Sequence, residues 1–198
     1  MCGGAVRTDE NQVRNLLGWV ISARLDDLRD GVDVVPSFLF LRDNELVGVL
    51  EMGWTQEPEK EAVLELAKGV GGALCCDALA VVADAYVSIN PGVMPSADVE
   101  AREALFALAQ LADGRRLCAA VVYGRSDTGD LYVDPAASAA FQEGFGDGFI
   151  AQALFDVVRA REVSEVLDAL LLKELSARAE LGGGVVSFAP KLDFLRSS

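Results

Sequence analysis

Apolar residues recur at three- and four-residue steps from Val13 through Leu16, Leu17, Val20, Ile21 and Leu25 to Leu28, one stripe of an amphipathic helix. Asp9 stands at the N-cap position with Gln12 three residues on as a capping-box partner, and Gly31 stops the helix. After Pro36 the period changes. Phe38, Leu39, Phe40 and Leu41 are apolar on both faces, as in a central strand. Asp43-Asn44 is a two-residue hairpin turn, because both residue types tolerate positive φ, and the return strand runs from Glu45 to about Trp54.

A second helix opens at Pro58, among Glu57, Glu59 and Glu61, acids that complement a helix N-terminus. Ala62, Val63, Leu66, Ala67 and Val70 form its buried stripe, and Gly69, Gly71 and Gly72 are expected to end it. Ala78 to Ser88 reads as a buried strand. Past Asn90-Pro91-Gly92, Ser96 or Asp98 is expected to cap a third helix carrying Val99, Leu105, Phe106, Ala109 and Leu111, closed by Asp113-Gly114. Leu117 to Arg125 is a strand, and Asp127-Thr128-Gly129 turns it into Leu131-Tyr132-Val133. Asp134-Pro135 has the N-cap and first-turn signature of another helix. Gly144-Phe145-Gly146-Asp147-Gly148 reads as a break, after which Phe149, Ile150, Ala153, Leu154, Val157 and Val158 repeat with helical period. Ser164 restarts a helix with Val166, Leu167, Leu170, Leu171 and Leu175, ended by Gly182-Gly183-Gly184 before a short strand from Val185 to Phe188.

This order predicts an α/β or α+β fold with a mixed sheet of about five strands, packed helices and a helical C-terminal segment. Residues 1–134 form the expected sheet core, and residues 135–198 a helical segment packed on the same domain. The stretch Asp77-Ala-Leu-Ala-Val-Val-Ala-Asp-Ala-Tyr86-Val87, followed by a Pro-rich loop, resembles uncharacterised α/β proteins of actinobacteria and their phages over the middle third of the chain. That resemblance implies no activity and transfers no site residue.

Composition narrows the chemistry. The 198 residues contain no histidine, and 31 Asp and Glu against 17 Lys and Arg give a formal net charge of -14. Ser-His and Cys-His nucleophiles and His-ligated zinc are therefore excluded. The acidic balance disfavours direct nucleic-acid binding, which needs a basic stripe. A hydrophobic content of 52% argues for a packed core over disorder. No apolar run reaches the roughly 18 residues of a membrane helix, and the N-terminus lacks the basic and apolar regions of a signal peptide, so the expected location is the cytoplasm.

Two kinds of catalytic group remain, thiols and carboxylates. Cys2 could act as an N-terminal nucleophile once Met1 is removed. The start Met1-Cys2-Gly3 resembles that of class II glutamine amidotransferases, although their glutamine-binding and arginine-containing segments are not recognisable downstream. The same opening occurs in SOS-response-associated peptidases, whose pattern includes a histidine missing here. Cys75 and Cys76 suit packing between helix and strand, and no CxxC pair is present. A helix followed by a hairpin bearing Asp43 and Glu51 resembles the layout of PD-(D/E)xK nucleases, in which two acids hold Mg²⁺; Gly53 stands where the lysine belongs. Asp127, Asp130 and Asp134 crowd the second hairpin and are candidate ligands of a hard cation.

Because every catalytic motif is incomplete, the leading expectation is a non-catalytic protein-interaction or assembly protein. It would dock a protein partner or a second copy of itself, as a homo-oligomer, on C-terminal helices bearing Leu167, Leu170, Leu171, Leu172 and Leu175. No cofactor is expected under that reading. The alternatives are a Mg-dependent hydrolase or nuclease using Asp43, Glu51 and Asp127 or Asp130, and an acidic DNA mimic.

Overall fold

The structure, a computed structural model, describes residues 7–88, 90, 92–93, 97–143 and 169–189. Helix α1 (Glu10–Arg29) begins at Asp9, whose side chain accepts from the Gln12 backbone N-H at 2.9 Å. The expected reciprocal bond from Gln12 is not made. The Asp9 N-H donates instead to Asn44 Oδ1 at 2.8 Å, and Gln12 Nε2 donates to the Asn44 carbonyl at 3.2 Å, so the first helix is pinned to the turn of the first hairpin. That hairpin joins β1 (Ser37–Arg42) to β2 (Glu45–Glu51) through Asp43 and Asn44 at φ 53° and 67°, the double left-handed turn that suits the twist of paired strands.

Helix α2 (Glu57–Ala73) follows, with Pro58 in its first turn, where a missing N-H costs nothing. Glu59 accepts from the Thr55 N-H, the Thr55 hydroxyl and the Gln56 N-H at 2.7, 2.9 and 3.2 Å; those bonds, the Thr55 backbone first, hold its carboxyl below the usual range. Three long strands come next: β3 (Ala78–Val87), β4 (Arg102–Leu111) and β5 (Arg116–Arg125). Then come β6 (Leu131–Val133), β7 (Ala139–Glu143), helix α3 (Ala169–Leu181) and β8 (Val185–Phe188).

Seven strands lie side by side in the order β6-β5-β4-β3-β1-β2-β8, and β7 shares the flank of β5 with β6. All of these pairings are antiparallel, so the sheet is neither mixed nor limited to about five strands. β2 and β3 run in the same direction with β1 between them, because α2 crosses over β1 before the chain re-enters the sheet. As its two apolar faces require, β1 is central. Phe38 and Phe40 point into a core shared with α2 and α3, including Leu50, Val63, Val70, Leu79, Leu172 and Leu175. Leu39 and Leu41 point into the opposite core, under Val13, Leu17, Val20 and Ile21 of α1. The molecule thus has three layers, with α1 on one face of the sheet and α2 with α3 on the other.

The expected third helix is strand β4. Leu105, Ala107, Ala109 and Leu111 face α1, while Phe106 and Leu108 pack on the α2 side, an alternation of period two. Because both faces are apolar, the run also fits a helical template, and its Ala, Leu, Glu and Arg residues carry helix propensity. Pairing with β3 on one side and β5 on the other overrides that propensity.

The helix expected at Asp134 is a single turn. Asp134 Oδ1 accepts from the Ala136 and Ala137 N-H groups at 2.9 and 3.2 Å, and Ser138 then redirects the chain by donating its hydroxyl to the Asp134 carbonyl and accepting from the Val122 N-H. β7 follows and joins the sheet from the segment expected to be helical, while β8 is the short strand expected from Val185 to Phe188. The expected break at Gly144–Gly148 and the helical repeat up to Leu167 lie outside the described residues.

Gly69, Gly71 and Gly72 do not end α2. Each of the three helices among the described residues closes instead with a residue in the left-handed conformation, Gly31, Cys75 and Gly183, and paired bonds such as Cys75 N-H to Gly72 and Cys76 N-H to Gly71 satisfy the last carbonyls. Gly69 lies inside α2, where its missing Cβ admits Leu175 of α3; a Cβ there would stand 3.1 Å from both Leu175 methyls.

Candidate functional site

Asp43 and Glu51 sit at opposite ends of the first hairpin. Register pairs Arg42 with Glu45 and Ser37 with Glu51, so about six strand residues, or about 20 Å, separate the two acids. One metal ion cannot bridge that span. Asp43 serves the turn, its N-H donating to Asp77 at 3.1 Å and its carboxylate lying 3.5 Å from Arg42. Glu51 faces the Arg24 guanidinium, which also donates to Asp27 at 3.0 Å and to Ser37 at 2.9 Å. Burial works against the charge of Arg24, but the bonds to Asp27 and Glu51 outweigh it and raise its pKa above the ordinary value. A fixed cation therefore occupies the place beside Glu51 that Mg²⁺ would need.

The second hairpin gives a similar result. Asp130 accepts from the Thr128 hydroxyl at 2.7 Å within its own turn. Asp134 divides its oxygens between the turn after β6 and Arg102, 2.7 Å away. Asp127 is exposed beside them in the loop. Among the described residues, no three Asp, Glu or Cys side chains converge as metal ligands. Other surface acids are matched by bases: Glu10 with Arg14 and Arg115, Asp26 with Arg29, Glu65 with Lys68, and Asp113 with Arg115. At these places the surface presents ion pairs rather than rows of bare carboxylate.

The thiols are packing groups. Cys75, Cys76 and Cys118 are buried and unbridged, and burial pushes the Cys118 thiol up to about 12, far from a thiolate at neutral pH. Cys2 lies outside the described residues.

The C-terminal leucines divide between two sides of α3. Leu172, Leu175 and Ala179 enter the core, which removes both Leu172 and Leu175 from the expected docking face. Leu170 and Leu181 point away from it, 81% and 89% exposed, with Leu171 partly exposed beside them and Leu167 outside the described residues. Eleven helical residues separate Leu170 from Leu181, about 16 Å or three turns, with Glu174 and Ala177 between them on the same side. α3 thus fills the core with one side and exposes two leucines, with Glu174 between them, on the other.

Two groups were not singled out by sequence reasoning. Asp77, 1% exposed, accepts from the Thr8 N-H at 3.1 Å, from the Thr8 hydroxyl and from Asp43 N-H, while Thr8 Oγ1 accepts from Asn44 N-H at 3.1 Å. This knot ties the approach to α1, the first hairpin turn and the α2-β3 junction, and its oxygens are committed to the fold. Trp19 is 69% exposed on the outer side of α1, next to Gly18, which has nothing within 4 Å of where its Cβ would be. The available signal was phase: Trp19 falls off the stripe that runs from Val13 to Leu28.

No helix among the described residues is long and apolar enough to cross a membrane. Compared with protein-family models, with curated proteins and with solved structures, the chain matches none, and its reading rests on its own residues.

Proposed function

We propose that this protein works by binding rather than by catalysis, presenting the outer side of α3 to an apolar segment of a partner protein. The observation that carries this reading is a pair of exposed leucines: Leu170 and Leu181 stand three turns apart on the outer side of α3 although the helix already fills the core with Leu172, Leu175 and Ala179. A surface helix with one task carries one apolar stripe, and solvent-exposed leucines at helical spacing are anchors for a partner. Among the described residues the acids are dispersed or ion-paired and the thiols Cys75, Cys76 and Cys118 are buried.

The test is selection from a displayed library of random peptides, run in parallel against the native protein and against Leu170→Asp/Leu181→Asp. Both substitutions fall at exposed positions, so the fold is kept and the thermal midpoint falls only by the helix-propensity and dipole cost of two aspartates, about 1 kcal/mol. Amphipathic apolar peptides enriched on the native protein and lost on the variant are the expected result. Enrichment of nothing, or of peptides indifferent to the two leucines, rejects the reading.

A further inference from the structure

The turn that leads α3 into β8 closes around one thioether. Met52 follows the last residue of β2, its N-H donates to the Pro36 carbonyl at 3.1 Å, and its side chain lies half-buried against the core shared with α2 and α3. Gly182-Gly183-Gly184 passes over it. Gly183 is left-handed at φ 78°, as the end of a helix requires, whereas its two neighbours are needed for space. A Cβ at Gly184 would stand 2.9 Å from Met52 Cβ and Cγ and 3.0 Å from the Glu51 carbonyl oxygen, and a Cβ at Gly182 would overlap the Met52 methyl, Cε. One glycine therefore fits the root of the side chain and the other its tip. The same turn holds the end of α3 and the start of β8. Gly182 N-H and Gly184 N-H both donate to the Ala179 carbonyl, at 3.0 and 2.8 Å, and the next residue, Val185, pairs with Glu51 beside Met52. Whatever enlarges Met52 acts on both.

We propose that Met52 is a site of reversible oxidation by hydrogen peroxide, and that its sulfoxide loosens the α3 to β8 turn from the sheet. A sulfur lone pair attacks one peroxide oxygen, and the O-O bond breaks with its electrons on the leaving oxygen. The proton of the transferred hydroxyl passes to that oxygen, so that thioether and peroxide become sulfoxide and water. Methionine fills an irregular gap because it is unbranched and polarizable, and its half-burial here leaves the residue within reach of a small oxidant. The new oxygen is bonded to the sulfur between Cγ and Cε, the two atoms for which the glycines make room. It meets no free donor in the turn, because the N-H groups of Gly182, Gly183 and Gly184 are all bonded to carbonyls of α3. A polar group without space or a partner turns to water, and the side chain leaves the gap with it. The inference rests on this turn alone, whether or not the outer side of α3 holds a partner.

Treatment of the full chain with hydrogen peroxide, followed by peptide mass spectrometry and amide hydrogen exchange, tests it. The peptide carrying Met52 is expected to gain one oxygen. Exchange of residues 182–188 and of their partners 48–51 then quickens roughly tenfold while β3 and β4 keep their protection, and methionine sulfoxide reductases for both epimers restore the native rates. Met52→Leu fills the same gap without sulfur, keeps the fold and does not respond, which separates Met52 from Met1, Met94 and the thiols. Met52→Gln carries the added polarity permanently and exchanges fast at 182–188 without peroxide. The inference is overturned if Met52 stays unmodified at a dose that oxidises an unfolded peptide of the same sequence. It is overturned equally if Met52 is oxidised and exchange at 182–188 is unchanged, or if Met52→Leu responds like the native protein.

Discussion

Cys118 sits on β5 with its side chain in the core shared with α2, and the cost of charging it there makes the folded protein sensitive to alkali. Its pKa rises from an unfolded value of about 8.5 to about 12. The stabilisation from keeping the thiol neutral is therefore complete below the unfolded value and is lost as pH rises towards the folded one. Tyr123 moves the same way, raised by burial and then by its bond to Asp84 at 2.7 Å. Thermal midpoints of the native protein and of Cys118→Ala, followed from pH 8 to about 10.5, are expected to converge as the native curve falls by up to roughly 1.4 kcal/mol per pH unit relative to the variant. Parallel curves would show that the thiol does not titrate on unfolding. At this scale the sequence was readable where a residue's role is local. The left-handed turn at Asp43-Asn44 and the cap at Asp9 follow from residue type and position. Asp77 could not be read that way, because its partner Thr8 lies 69 positions away and only the fold brings them together.

A glycine inside a helix can signal an end or a close approach, and α2 shows how the two are confused. Gly69, Gly71 and Gly72 form a cluster that resembles a stop, yet the helix continues to Ala73, and Gly69 is where Leu175 of α3 settles against the backbone. Gly69→Leu is therefore expected to destabilise the protein by roughly 2 kcal/mol through overpacking against α3. Adding Leu175→Ala should recover part of that loss, so that urea denaturation shows the two changes to be non-additive. Additive losses would mean that the helices do not meet here. The same ambiguity of pattern hid β4. β1 alternates Phe with Leu and β5 carries Val121, Val122 and Tyr123, whereas in Arg102–Leu111 the one aromatic, Phe106, stands among Ala, Leu and Glu and no residue is β-branched. Its period of two emerges only once β3 and β5 supply a partner on each side.

Strand order belongs to the whole molecule, and local pattern could not supply it. The hairpins β1-β2 and β5-β6 follow from turn chemistry, whereas the passage of α2 over β1 and the pairing of β8 with β2 depend on which buried faces fit together. The resulting arrangement sets α1 and α3 on opposite sides of one sheet, so a segment held on the outer side of α3 leaves α1 untouched. Trp19→Asp should therefore bind a peptide selected for α3 with unchanged affinity, and Leu170→Asp/Leu181→Asp should lose that binding, both read by calorimetry in solution. A loss of affinity on Trp19→Asp would show that the two faces of the sheet are not independent.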